Sequence, residues 1–222
     1  MRTLIATLLL LTATSVVADE TATHRFTSSV PRGSVRRIVI DIPEGDITVR
    51  NGASDTIRVV GKVERHFDGW RRRDDNQRIV DDSSAEIYVS SSEAVVRRHF
   101  GPNADGWLAR NHNTSYDLTI EVPAGMTVAF ETRYGDVTLD GTFGDVDLDL
   151  RAGEIHFRSP RATVHELTAS VRVGEVNANL GDETVSREGV FPGTTRFVNA
   201  HGGTSTVNLH TTAGEVHVNL LR

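Results

Sequence analysis

Apolar and polar residues alternate along most of this chain, and glycine punctuates the alternation. Residues 132–158 read T-R-Y-G-D-V-T-L-D-G-T-F-G-D-V-D-L-D-L-R-A-G-E-I-H-F-R. Gly-acid-aliphatic recurs there at Gly135-Asp136-Val137, Gly144-Asp145-Val146 and Gly153-Glu154-Ile155, nine residues apart. After each glycine the apolar residues take alternate positions: Val137 and Leu139, then Val146, Leu148 and Leu150, then Ile155 and Phe157. That is the period of a strand with one buried and one wet face.

The same pattern predicts strands at residues 36–42, 46–50, 56–64, 86–90, 116–122, 167–173, 194–198 and 203–209. The glycine motif returns at Gly174-Glu175-Val176 and Gly214-Glu215-Val216. No stretch after the first 18 residues has helical periodicity. A short strand with one apolar face cannot bury it alone, so such units stack, and two or three of them make a coil of about 20 to 30 residues. Glycine supplies the corners, where a Cβ would be penalised. The expected fold is all-β: a single-stranded β-helix, or β-solenoid-like stack of short strands, over residues 35–222. Residues 19–34 are expected as a flexible N-terminal segment, and residues 65–113 as a longer hairpin insertion in the stack.

The repeated G-D-V-x-L, the entry strand ending Val122-Pro123-Ala124-Gly125, and the earlier Ile42-Pro43-Glu44-Gly45-Asp46-Ile47-Thr48-Val49 carry a family likeness. The chain resembles the bacterial "putative adhesin" family of β-strand repeat proteins, domain of unknown function 4097, over about residues 35–220. The resemblance implies an exported or membrane-associated β-solenoid-like domain, and it brings no catalytic residues with it.

The first residues change the expected location. Arg2, the apolar run 4–11 and Ser15-Val16-Val17-Ala18 make a signal peptide, residues 1–18, with cleavage after Ala18. That run is too short to span a bilayer. The expected destination is therefore the periplasm, the cell surface or the medium. With 24 basic and 30 acidic residues the chain is mildly acidic, which argues against nucleic acid as a partner held by bulk charge. It has no cysteine, so neither disulfides nor a cysteine-linked lipid hold it.

Candidate chemistry is sparse. Asp136, Asp145, Glu154, Glu175 and Glu215 beside the glycines suit a calcium-stabilised β-roll, but the G-G-x-G-x-D pattern of such rolls is missing, and solvated outward carboxylates are the simpler reading. His156 and His217 fill the same outward slot of the repeat, with His210 seven residues before His217; without HExxH or paired cysteines, no metal and no cofactor are expected. Asp147 and Asp149, about 6 to 7 Å apart on one strand face, are the pair that a β-helix polysaccharide lyase or hydrolase would use. No nucleophile elbow, phosphate loop or cysteine nucleophile accompanies them, and the chain is read as non-enzymatic.

Residues 65–113 carry both tryptophans, each after Asp-Gly. There Phe67, Trp70, Arg71, Arg72 and Arg73, with Arg97, Arg98, Phe100 and Trp107, combine cationic and aromatic groups suited to a glycan or an acidic protein surface. The structural alternative is that the aromatics cap the core and the arginines pair with Asp74, Asp75, Asp81 and Asp82. The expected function is an exported non-enzymatic binding or scaffold module, with a β-helix carbohydrate-active enzyme or a calcium-stabilised roll as alternatives.

Overall fold

Every apolar position marked by the alternation in the central stretch faces inward: Val137, Leu139, Val146, Leu148, Leu150, Ile155 and Phe157 are all buried. The computed structural model describes residues 20–67, 73–102, 114–181, 184–189, 193–199 and 202–222, without the side chains of residues 20, 67, 73 and 184–189. Before the central stretch come β1 (Glu20–Pro31), β2 (Arg37–Asp41), β3 (Asp46–Asn51), β4 (Thr56–Phe67), the helix α1 (Arg73–Asp81), β5 (Ser83–Ser90), β6 (Glu93–Phe100) and β7 (Thr114–Val122). Then follow β8 (Thr127–Phe130), β9 (Val137–Asp140), β10 (Val146–Pro160), β11 (Val164–Asn179), β12 (Thr184–Gly189), β13 (Gly193–Val198) and β14 (Ser205–Leu221). The all-β expectation holds, in a single sheet bent into an almost closed, barrel-like wall around the core.

The wall is built from one unit used five times. In each, an alternating strand reaches a glycine, bends, and continues as a second alternating strand. The unit spans β2 and β3, β8 and β9, and then the long strands β10, β14 and β11, each of which carries the bend within itself. Neighbouring units pair in parallel and in register: Ile47 with Val137, Val137 with Ile155, Ile155 with Val216, and Val216 with Val176. Apolar residues therefore stack on apolar residues from unit to unit, and the core is continuous from Ile38 to Leu220.

Chain order and stacking order differ. The final strand β14 lies between β10 and β11, paired in parallel with both, so the units do not succeed one another as coils of a simple β-helix would. Further strands close the ends: β7 joins β3 and β6 joins β2 in parallel, and the strands beyond them, like those on β11, pair antiparallel. On one side β7, β4 and β1 follow β3; on the other side of the bend β6 and β5 follow β2; β12 and β13 cover the outer edge of β11.

The bend has a specific cause. Gly45, Gly135, Gly153, Gly214 and Gly174 stack in a column with φ of 142°, 115°, 136°, 139° and 136°. A Cβ on Gly135 would run into the carbonyl oxygen of Gly45; on Gly153, that of Gly135; on Gly214, that of Gly153; on Gly174, that of Gly214. Both the left-handed conformation and the close backbone approach demand glycine here. The nine-residue spacing is therefore half a unit. Gly135 and Gly153 belong to the column, whereas Gly144 lies outside it, where its N–H donates to the Met126 carbonyl at 2.9 Å as the next unit begins.

Two expectations are corrected. The flexible entry expected for residues 19–34 is instead a strand over Glu20–Pro31: β1 pairs antiparallel with β4 along its whole length. Its inward positions alternate, Ala22 being buried and Phe26 and Val30 packing on the core, but the intervening Thr and Ser hide the pattern. The region 65–113 is not built of hairpins alone, because α1 opens it after β4. The helix has Asp74 and Asp75 in its first turn and Arg78 in its last, which complements its dipole. Its buried residues Asn76, Ile79 and Val80 are too few for a visible helical stripe. A polar contact docks it: the buried Arg65 donates from Nε to Asn76 Oδ1 at 3.0 Å and from Nη1 to Thr114 Oγ1 at 3.0 Å. Within this region β5 and β6 form an antiparallel hairpin that turns at Ser91.

Gly153→Ala is expected to cost about 3 kcal/mol or more, combining positive-φ strain with a backbone clash. Gly125→Ala, at φ 77° with open space around its Cβ, should cost only about 1 kcal/mol. Urea unfolding of the two variants makes the comparison, and equal losses would contradict the column's role. A second prediction concerns Tyr116, whose ring is fully buried and whose hydroxyl has no partner among the described residues. Burial pushes this phenol up to about 12, with Arg98 opposing weakly. The folded state holds the proton more tightly than the unfolded chain, whose tyrosines titrate near 10. The stabilisation is therefore complete below about pH 10 and is lost as pH rises toward 12. Tyr116→Phe should flatten this alkaline loss of stability, measured by unfolding at pH 9 to 11.

Candidate functional site

Stacked units in register place like positions of the repeat side by side on the outer face of the wall. Beyond the glycine column, β9, β10, β14 and β11 present three rows. The row nearest the bend is acidic: Asp136, Glu154, Glu215 and Glu175, continued by Asp46. The next row is Thr138, His156, His217 and Asn177, and the third is Asp140, Arg158, Asn219 and Asn179.

The acids beside the glycines carry a role that solvation alone does not describe. Asp46 Oδ1 accepts the N–H of Asp136 at 3.1 Å, and Asp136 Oδ1 accepts the N–H of Glu154 at 2.9 Å. At the opposite end of the unit, Asp145 Oδ1 accepts the N–H of Thr206 at 2.9 Å. The first two carboxylates thus bond the neighbouring unit's backbone beside the bend, and the third does so where the unit begins. In this respect the acid after the glycine is part of the corner.

The middle row holds the densest chemistry. The rings of His156 and His217 stack with centroids 4.8 Å apart and planes 6° apart. His156 Nε2 lies 3.1 Å from Glu154 Oε2, and His217 Nε2 lies 3.0 Å from Glu215 Oε2. Each pair sits two residues apart on one strand, hence on one face. Glu154, His156 and His217 each offer a ligand atom within 4.8 Å of the others, which makes them the described residues best placed to hold a cation. All are partly exposed. Beside them a shallow groove of about 490 Å³ opens over the second and third rows, lined by Thr138, Asn177 and Asn219 and edged by Asp140, Arg158 and Asn179. Arg158 reaches across to Asp140 at 3.8 Å.

Other expected positions lie elsewhere. Asp147 and Asp149 stand exposed on the first half of β10, on the other side of the bend; Asp149 borders a separate depression with Arg133 and Arg151. His210 is held by Ser170, Nδ1 to Oγ at 2.9 Å, on that same half. Of the cationic and aromatic group, Trp70, Arg71, Arg72 and Trp107 lie outside the described residues, and only the backbone is described for Phe67 and Arg73. The remaining three are engaged within the protein. Arg97 pairs with Asp41 at 3.1 Å and Arg98 with Glu44 at 4.0 Å, not with the aspartates of the helix region. Arg98 also lies 5.4 Å from the centroid of Phe100, which packs against Ile79.

The sequence pointed to His156 and His217 as equivalent slots but not to the groove residues Asp140, Arg158, Asn177, Asn179 and Asn219. The available signal was their shared outward position after each glycine. What turns that signal into a site is the insertion of β14 between β10 and β11.

No protein-family model matches the chain, and no curated protein matches it. Solved structures similar to it include a "putative cell adhesion protein" from Clostridium sporogenes ATCC 15579, 12% identical, with 90% of this chain and 100% of that one covered at a TM-score of 0.44. Another is a "putative adhesin" from Parabacteroides distasonis ATCC 8503, 9% identical, with 91% and 98% covered at a TM-score of 0.25. Likeness at this level carries no argument about function.

If Asp136 holds the corner as described, Asp136→Ala should cost about 1 kcal/mol by removing a charge-assisted acceptor. Asp136→Asn, which keeps an acceptor oxygen, should cost less than half as much in the same urea titration.

Proposed function

We propose that the protein is an exported, non-enzymatic binding module, adhesin-like in recognising an extended polar surface, and that it binds through the outer face of β9, β10, β14 and β11. The ligand class favoured is a glycan, with a protein surface as the other candidate. The observation that carries this reading is the row Asp140, Arg158, Asn219 and Asn179, held in register by the backbone ladder beside a shallow groove. Neighbouring strands repeat about every 4.8 Å, so a chain of sugars crossing them meets a new hydrogen-bonding group at each strand.

Side chains on paired strands are also pre-ordered, so less entropy is lost when they bind than on a loop. Planar amide, carboxylate and guanidinium groups suit the paired hydroxyls of a sugar ring. In the same reading the five glycine-bent units are the coils of a solenoid-like stack whose order departs from chain order. Export rests on the signal peptide read at residues 1–18.

The test is a glycan array, including peptidoglycan fragments, probed with the mature chain, an Arg158→Ala/Asn179→Ala/Asn219→Ala variant and a Trp70→Ala/Trp107→Ala variant, each shown to melt like the parent. Binding that only the first variant loses, by tenfold or more, is the expected outcome. Binding that only the tryptophan variant loses would move recognition to residues 65–113. Failure of all three proteins to bind any glycan would overturn the glycan reading.

A further inference from the structure

The geometry points to a binding site for a divalent transition-metal ion of zinc-like character, held by Nε2 of His156 and His217 and a carboxylate oxygen of Glu154, with Glu215 as a fourth ligand or as the orienting partner of His217. Four features of this face converge on it.

The first is the donor set. Two imidazoles with one or two carboxylates is a ligand combination for zinc and its first-row neighbours, which bind nitrogen at about 2.0–2.1 Å, whereas calcium and magnesium favour all-oxygen shells. The second is proximity. The three ligand atoms already lie within 4.8 Å of one another, on two strands whose register is fixed along their whole length. Bringing both Nε2 atoms onto one ion requires the stacked rings, now 6° from parallel, to tilt toward each other so that their in-plane lone pairs converge.

Charge is the third. Asp136, Glu154 and Glu215 stand side by side on adjacent strands, so their mutual repulsion is relieved by a cation. The nearest arginine of the next row, Arg158, is turned to Asp140, and the immediate neighbours of the histidines along their row, Thr138 and Asn177, are neutral. The fourth is the existing hydrogen bonding. Each Nε2 already faces a carboxylate at 3.0–3.1 Å, so a metal entering there replaces a shared proton and keeps the acid as ligand or support. Partial exposure leaves room for a water to complete a tetrahedral shell. The site stands whether or not the adjoining groove binds a glycan.

The experiment is calorimetric titration of zinc chloride into the tag-free mature chain without any glycan, with thermal melts alongside. One saturable equivalent and a raised melting temperature are expected, with no such rise on adding calcium. His156→Ala and His217→Ala should each weaken binding at least tenfold, while His210→Ala, on the other half of β14, should change it less than threefold. Both ring substitutions are at the surface, and circular dichroism verifies that the fold is kept. Absence of saturable zinc binding by the parent, or affinity unchanged in both His156→Ala and His217→Ala, would overturn the proposal and leave a stacked histidine pair with no ligand.

Discussion

Backbone packed directly on backbone at the glycine column is the constraint on which the rest depends. Each column glycine sits where its neighbour's carbonyl oxygen would collide with a Cβ. No side chain can therefore separate the units at the bend, and their registers are forced to agree. Once the bends align, everything downstream aligns as well: the buried residues stack into a continuous core, and the outward residues fall into rows. At two of the bends the acid after the glycine, Asp46 and Asp136, reinforces this by accepting the next unit's backbone N–H.

The functional face is a consequence of that alignment. Glu154 and Glu215, then His156 and His217, meet because β10 and β14 carry the same motif at the same distance from their glycines and lie side by side. Rows of Asn, Arg and Asp follow for the same reason. A face made this way is stiff, since each side chain is spaced by main-chain hydrogen bonds. Its chemistry is set by which residue occupies the outward slot in each unit.

Much of this was legible from residue patterns. Alternation identified the buried residues of β9, β10, β11 and β14, and the glycine-acid pairs located the corners. Short polar elements were not legible: β1 hides its inward Ala22, Phe26 and Val30 among Thr, Ser and His, and α1 has only Ile79 and Val80 as buried apolar residues. Stacking order was also hidden, because each unit presents the same apolar pattern to any neighbour. That degeneracy is why the equivalence of His156 and His217 was visible while their contact was not.

The most direct test of the account uses the absence of native cysteine to trap the stacking order. Asp147 of β10 is paired with Asn208 of β14, which is paired in turn with Thr168 of β11. Adjacent strands place such residues within disulfide reach, whereas positions two strands apart are about 10 Å away and beyond it. After mild oxidation the Asp147→Cys/Asn208→Cys protein should form an intramolecular disulfide, identified by peptide mass, and the Asp147→Cys/Thr168→Cys protein should keep two free thiols. A disulfide in the second protein and free thiols in the first would show that the units stack in chain order and would contradict the arrangement on which the histidine pair and the groove depend.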